Sequence, residues 1–137
     1  MTDLNSTSTN VVVGAGQTLN ILSPGGTAID LVNSGTVNGF RLSNSGGEVQ
    51  GFDNFSLMQA SGTNAFLLLS GNGDFGFDFN AKGATIRALA TGSGNTTTVE
   101  VAFSVIFNSG TIAAIGSSGA NATVDLDGSI VDRKSVV

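Results

Sequence analysis

The sequence predicts an all-β protein, a single-domain β-solenoid of the parallel β-helix type with rungs of irregular length, and three observations carry that expectation. The first is an internal repeat: Thr36-Val37-Asn38-Gly39-Phe40 returns as Glu48-Val49-Gln50-Gly51-Phe52, in the pattern polar, Val, amide, Gly, Phe, about twelve residues on. A short strand, a bend and a second short strand cannot bury an apolar face alone, but stacked copies share a core. The second is composition: the 137 residues include 20 Gly and one Pro, with Asn, Ser and Thr filling most other polar positions and 40% hydrophobic residues. Gly, Asn, Ser and Thr suit tight turns, while Val, Ile, Leu and Phe suit strands. The third is the absence of any convincing helical period, since Ala84 to Ala90 and Ile112 to Ile115 are the only ambiguous windows and both are too short for stable helices. Uneven spacing of the turns excludes a regular pentapeptide or hexapeptide helix and leaves an irregular β-sandwich as the alternative.

In order, residues 1–10 (MTDLNSTSTN) form a polar N-terminal arm, and residues 11–137 the solenoid domain. Val11 to Val13 and Gln17 to Ser23 read as strands, the second with Leu19 and Ile21 on one face, and Pro24-Gly25-Gly26 is the strongest turn signal in the chain. Thr27 to Asn33 is the next strand. Phe55 and Leu57 alternate with Ser56 and Met58, and Ala65 to Leu69 is a continuous apolar run suited to a strand enclosed on both sides. Phe75, Phe77 and Phe79 share one face of Asp74 to Asn80, opposite Gly76 and Asp78, and are read as a core stack. Thr96 to Phe107 is the longest strand candidate, with Val99, Val101, Phe103, Val105 and Phe107 on one face. Asn-Ser-Gly marks turns at 33–35, 44–46 and 108–110, and Ile130 to Val137 is read as a short closing strand.

The Asn33 to Gly73 stretch, with its NSGT, GF, DNFSL and LLLSGNG phrases, resembles the passenger repeats of autotransporter adhesins and related haemagglutinin-like secreted proteins. That resemblance covers about a third of the chain and implies a right-handed parallel β-helix displayed at a bacterial cell surface. The membrane barrel that such proteins carry has no counterpart in the sequence.

Charge excludes several functions. Ten acidic against five basic side chains give a net charge of −5, and Arg41, Lys82, Arg87, Arg133 and Lys134 cannot build a clustered basic face. Nucleic-acid binding and attachment to anionic lipid are therefore not expected. No apolar run reaches the length of a membrane span, so no membrane insertion is expected either. The start of the chain lacks the basic and apolar regions of a secretory signal. Low charge, absence of Cys and heavy Asn/Ser/Thr/Gly usage suit a bacterial protein that is extracellular or on the cell surface.

With no His and no Cys, the sequence holds no Ser-His-Asp triad, Cys-His pair or imidazole or thiolate metal site, and a non-enzymatic role is expected. Asp74 with Asp78, and Asp125 with Asp127, are the carboxylate pairs that glycoside cleavage would need, but no Trp or Tyr is present as a sugar platform. Calcium is the one cofactor with sequence support. Gly25 to Val32 approximates a Gly-Gly-x-Gly-x-Asp-x-apolar calcium repeat with Ala28 in place of the third Gly, making Asp30 a candidate ligand. Asp74 follows Ser70-Gly71-Asn72-Gly73, and Asp125-Leu126-Asp127-Gly128 gives a hard-oxygen cluster. The competing reading is Asp and Gly in ordinary turns. Asn-x-Ser/Thr triplets at Asn5, Asn54, Asn95 and Asn121 are no more than this composition produces by chance.

Exposed strand edges must be capped, charged or paired. The expected function is self-assembly into filaments or a surface layer, with residues 1–13 adding as a strand to a neighbouring copy; the same segment folding back on its own domain is the alternative. An adhesin or glycan-binding module is the second functional expectation.

Overall fold

A computed structural model describes residues 1–22, 25–39, 48–62, 65–70, 78–90, 96–116 and 121–132, of which 48, 50, 62, 65–70, 96–106 and 124–132 are described by their backbone. The described residues are all β, and every strand pairing is parallel. The strands are β1 (Thr2–Leu4), β2 (Thr7–Thr9), β3 (Val12–Val13), β4 (Thr18–Ile21), β5 (Thr27–Asn33), β6 (Thr36–Gly39) and β7 (Glu48–Asn54). They continue as β8 (Leu57–Gly62), β9 (Ala65–Ser70), β10 (Asp78–Asn80), β11 (Thr85–Ala90), β12 (Thr96–Asn108), β13 (Thr111–Ile115) and β14 (Asn121–Asp132).

The chain alternates between two sheets. One runs β1-β4-β6-β8-β11-β13; the other runs from β2 and β3 through β5, β7, β9 with β10, and β12 to β14. Parallel neighbours cannot be joined by a hairpin, so each must be reached by a crossover. Here the other sheet supplies it.

This order corrects the reading of the twelve-residue repeat. Thr36–Gly39 and Glu48–Asn54 are not stacked on each other but lie in different sheets. Val37 pairs with Leu19 and Met58, and Val49 with Ala28 and Leu69. The vertical step is longer and uneven: side chains that touch between levels of the first sheet are 17, 18, 21 and 28 residues apart along the chain.

Period-two alternation fills the space between the sheets. Leu19, Val37, Met58, Ile86 and Ile112 stack in register across the first sheet and are all nearly or fully buried. Ala28, Leu31, Val49 and Phe52 line the second. Each of these side chains other than that of Ala28 contributes on the order of 1.5–3 kcal/mol relative to exposure. Leu19 and Ile21 face inward together, as the sequence predicts.

One face is inverted from expectation, that of Asp78 and Phe79, and at Phe55 to Met58 the fold decides which side of the alternation is inward. Met58 is buried while Leu57 is half-buried and Phe55 exposed, and Asp78 is buried while Phe79 is half-buried. The reason at Asp78 is a hydrogen bond: the Phe52 amide donates to its Oδ1 at 2.9 Å, so the carboxylate takes the inward position and turns Phe79 out. Phe79 then packs against Phe55, ring centroids 6.0 Å apart, in a tilted arrangement on the outer surface. Phe75 and Phe77 lie outside the described residues.

The longest strand candidate is β12, shifted in register against β14 between Ala102 and Val105. Of the closing strand expected at Ile130 to Val137, residues 130–132 lie at the end of β14, and 133–137 lie outside the described residues. Within the polar arm, β1 pairs with β4 and β2 with β5 of the same chain.

Candidate functional site: stacked amide ladders and the open strand edges

The corner between the sheets is built by one local motif. Asn33, Asn54, Asn80 and Asn108 each end a strand of the second sheet and stack in register, all fully buried. Their side chains are joined head to tail: Asn33 Nδ2 donates to Asn54 Oδ1 at 2.8 Å, Asn54 Nδ2 to Asn80 Oδ1 at 2.9 Å, and Asn80 Nδ2 to Asn108 Oδ1 at 2.7 Å. The carboxamides also close the corner locally, accepting from the backbone amide two residues on, Gly35, Ser56 and Gly110. They donate onward to the carbonyls of Leu57, Thr85 and Thr111 on the next level.

Asn suits this place because it is short and carries both donor and acceptor, so one residue type repeated in a column satisfies itself. The backbone ladder runs on through the corner, with Ser34 N on Val13 O, Phe55 N on Asn33 O, Ala81 N on Asn54 O and Ser109 N on Asn80 O, each at 2.8 Å. Gly follows Asn-Ser at 35 and 110 for a steric reason. A Cβ there would run into the carbonyl oxygens of Gly14 and Gln17, or of Ala81 and Ala84.

A second ladder lies on the outer face of the first sheet. Asn20 Nδ2 donates to Asp3 Oδ1 at 2.8 Å, Asn38 Nδ2 to Asn20 Oδ1 at 3.0 Å, and Gln59 Nε2 to Asn38 Oδ1 at 3.0 Å. Arg87 ends it, donating from Nε at 3.0 Å and Nη2 at 2.8 Å to Gln59 Oε1. Every bond therefore points from Arg87 toward Asp3, opposite in sense to the buried column. A group that can only donate stands at one end and an ionised group that can only accept at the other.

The second sheet bends at one level of its register. Asn10, Asp30 and Gly51 all have positive φ, at 53°, 52° and 74°, and a Cβ on Gly51 would stand 3.0 Å from Asp30 Oδ1. Asp and Asn tolerate this conformation better than other residues with a side chain. That accounts for Asp30 as a bend residue. The remaining calcium candidates are not brought to it: Asp125 and Asp127 stand at register positions opposite Glu100 and Ala102 on β14, with β7, β9 and β12 intervening. Four strand spacings make about 19 Å. Asp74 lies outside the described residues. Among the described residues no three acidic side chains are grouped as a metal would need. The carboxylate pair of Asp74 and Asp78 is described at Asp78 alone, where it serves the Phe52 amide.

Among the described residues each strand at the ends of the stack has a partner on one side. β1 pairs with β4, and β2 and β3 with β5; at the far end β13 pairs with β11 and β14 with β12. No second partner for these strands is present there. Apolar side chains are exposed on edge strands at both ends, Val12 at 71% and Ile115 at 41%.

Neither ladder is announced by a regular repeat, because the loops between levels differ in length. Three of the four members of the buried column share a weak local signature, Asn-Ser-Gly-Thr-Val, Asn-Phe-Ser-Leu-Met and Asn-Ser-Gly-Thr-Ile, with a small residue two positions after the Asn and an inward apolar residue four after it; Asn80 departs from that spacing. Comparison of the chain with protein-family models, with curated proteins and with solved structures found no match.

Proposed function

We propose that this chain is a β-solenoid and a non-enzymatic structural protein, extracellular or at a bacterial cell surface, that self-assembles into filaments or a layer by strand addition at its edges. The observation that carries the reading is the pair of open edges. They belong to parallel sheets whose strands all run the same way, so the β1–β3 end of one copy is suited to the β13–β14 end of the next, head to tail. Such an interface is heterologous and does not close on itself, which makes a filament rather than a dimer. The polar arm then acts from its folded position, presenting its outer edge rather than detaching.

The six levels of the described residues, at about 4.8 Å each, give an axial repeat of about 29 Å. Negative-stain electron microscopy and fibre diffraction of the purified protein, with millimolar calcium and with chelator, test this. Filaments or sheets with that repeat are expected. Dispersed monomers in both conditions would sink the reading, and assembly in calcium alone would make Asp30, Asp74, Asp125 and Asp127 the residues to substitute.

An adhesin or glycan-binding module is the second reading, supported by the exposed Phe55 against Phe79 and by the resemblance to adhesin passenger repeats. Binding on a glycan array that is lost in Phe55→Ala would favour it.

A further inference from the structure

The outer ladder is unfinished at both ends. Arg87 spends Nε and Nη2 on Gln59, and its Nη1 makes no hydrogen bond among the described residues; Asp3 is exposed and accepts one bond, at Oδ1 from Asn20. Within one chain the two cannot meet. Asp3 lies on β1 and Arg87 on β11, with β4, β6 and β8 between them, a separation of about 19 Å. Beyond Arg87 the column holds one more residue, Ala113, paired with it in register and offering no polar group.

We propose that Arg87 of one copy pairs with Asp3 of the next, carrying the outer ladder across the junction. This rests on the head-to-tail reading above and deepens it by naming the contact that sets direction and register. With β1 of an incoming copy added to β13, Asp3 falls two strand spacings from Arg87, about 10 Å between Cα atoms, across the methyl of Ala113. An extended arginine and an aspartate side chain together span that gap, so in the assembled state the guanidinium gives up at least one of its two bonds to Gln59. All the amides already point their donors toward Asp3, so a copy added tail to tail or head to head would set like charge against like at its end of the column. Directionality follows from the ladder's polarity, and register from the single level at which the two charges meet.

The test is a mixing experiment. Asp3→Lys sets Lys against Arg87 of its neighbour, and Arg87→Glu sets Glu against Asp3 of its neighbour, so each variant alone should assemble poorly. An equimolar mixture restores both junctions by alternation, and the double variant Asp3→Lys/Arg87→Glu restores them within one sequence. We expect the critical concentration for assembly, read by sedimentation, to rise more than fivefold in each single variant. In the mixture and the double variant it should return to within about twofold of the parent, consistent with exposed ion pairs. Circular dichroism of each variant checks that it folds. The milder Asp3→Asn and Arg87→Gln should raise the critical concentration by up to about fivefold and remove its salt dependence.

A parent protein that assembles while the single variants assemble equally well, or while the mixture does no better than either alone, overturns the pairing and leaves assembly standing. A parent that never assembles overturns the proposed function itself.

Discussion

Replacing Asn54 with Ala removes the central member of the buried ladder, and the structure fixes what is lost. Asn54 is fully buried; its Nδ2 serves Asn80 Oδ1 at 2.9 Å, Ser56 O at 3.1 Å and Thr85 O at 3.2 Å, and its Oδ1 accepts from Asn33 Nδ2 at 2.8 Å and Ser56 N at 3.3 Å. After truncation Asn33 keeps Leu57 O at 3.0 Å, but Ser56 N and Asn80 Oδ1 each lose a bond where water has no ready access. Orphaning a buried polar group costs about 1–3 kcal/mol, so Asn54→Ala should cost about 2–5 kcal/mol in all. Asn38→Ala on the outer ladder removes two bonds where solvent can replace them and should cost less than about 1 kcal/mol. Equilibrium urea denaturation of both variants measures the contrast. Asn54→Asp sharpens it, because a carboxylate would place acceptors against Asn80 Oδ1, Ser56 O and Thr85 O, and it should be at least as damaging as Ala. Equal small effects at positions 38 and 54, or a harmless Asn54→Asp, would refute the idea that the buried column holds the corners.

Three further outcomes follow from the same structure. Gly35→Ala and Gly110→Ala should each cost more than about 2 kcal/mol in denaturation, since backbone carbonyls block the new methyl. Gly83→Ala, with open space but φ of 84°, should cost about 1 kcal/mol. Asp78→Ala should cost about 1–3 kcal/mol by stranding the Phe52 amide, and Asp78→Asn, which keeps an acceptor at Oδ1, should cost less. Ile86→Ala, in the middle of the inner column, should cost about 2–5 kcal/mol, against less than about 0.5 kcal/mol for exposed Ile115→Ala; comparable losses would mean the sheets do not enclose the core described.

The sequence by itself determined the all-β class, because strand-forming apolar residues alternate between turn-forming Gly, Asn, Ser and Thr, and no window sustains a helical period. It also placed several strands closely: β5 at Thr27–Asn33, β9 at Ala65–Ser70 and β12 at Thr96–Asn108 follow from local pattern and punctuation. What only the tertiary structure decided is which strand stacks on which. A twelve-residue likeness joins strands in different sheets, whereas true neighbours are 17 to 32 residues apart, because loops of different length between levels cost little once the parallel register is set. For the same reason Asn33 and Asn108 read as turn residues, Asn54 as a chance triplet and Asn80 as a strand end, unrelated until the fold brings them into one column. Face assignment failed at Asp78 and Phe79, where one backbone amide needing a partner outweighed the preference of an aromatic ring for the interior. Direction, too, belongs to the assembled sheet: Asp3 and Arg87 are unrelated in the sequence, and only stacking makes them the two ends of one polarised chain of amides.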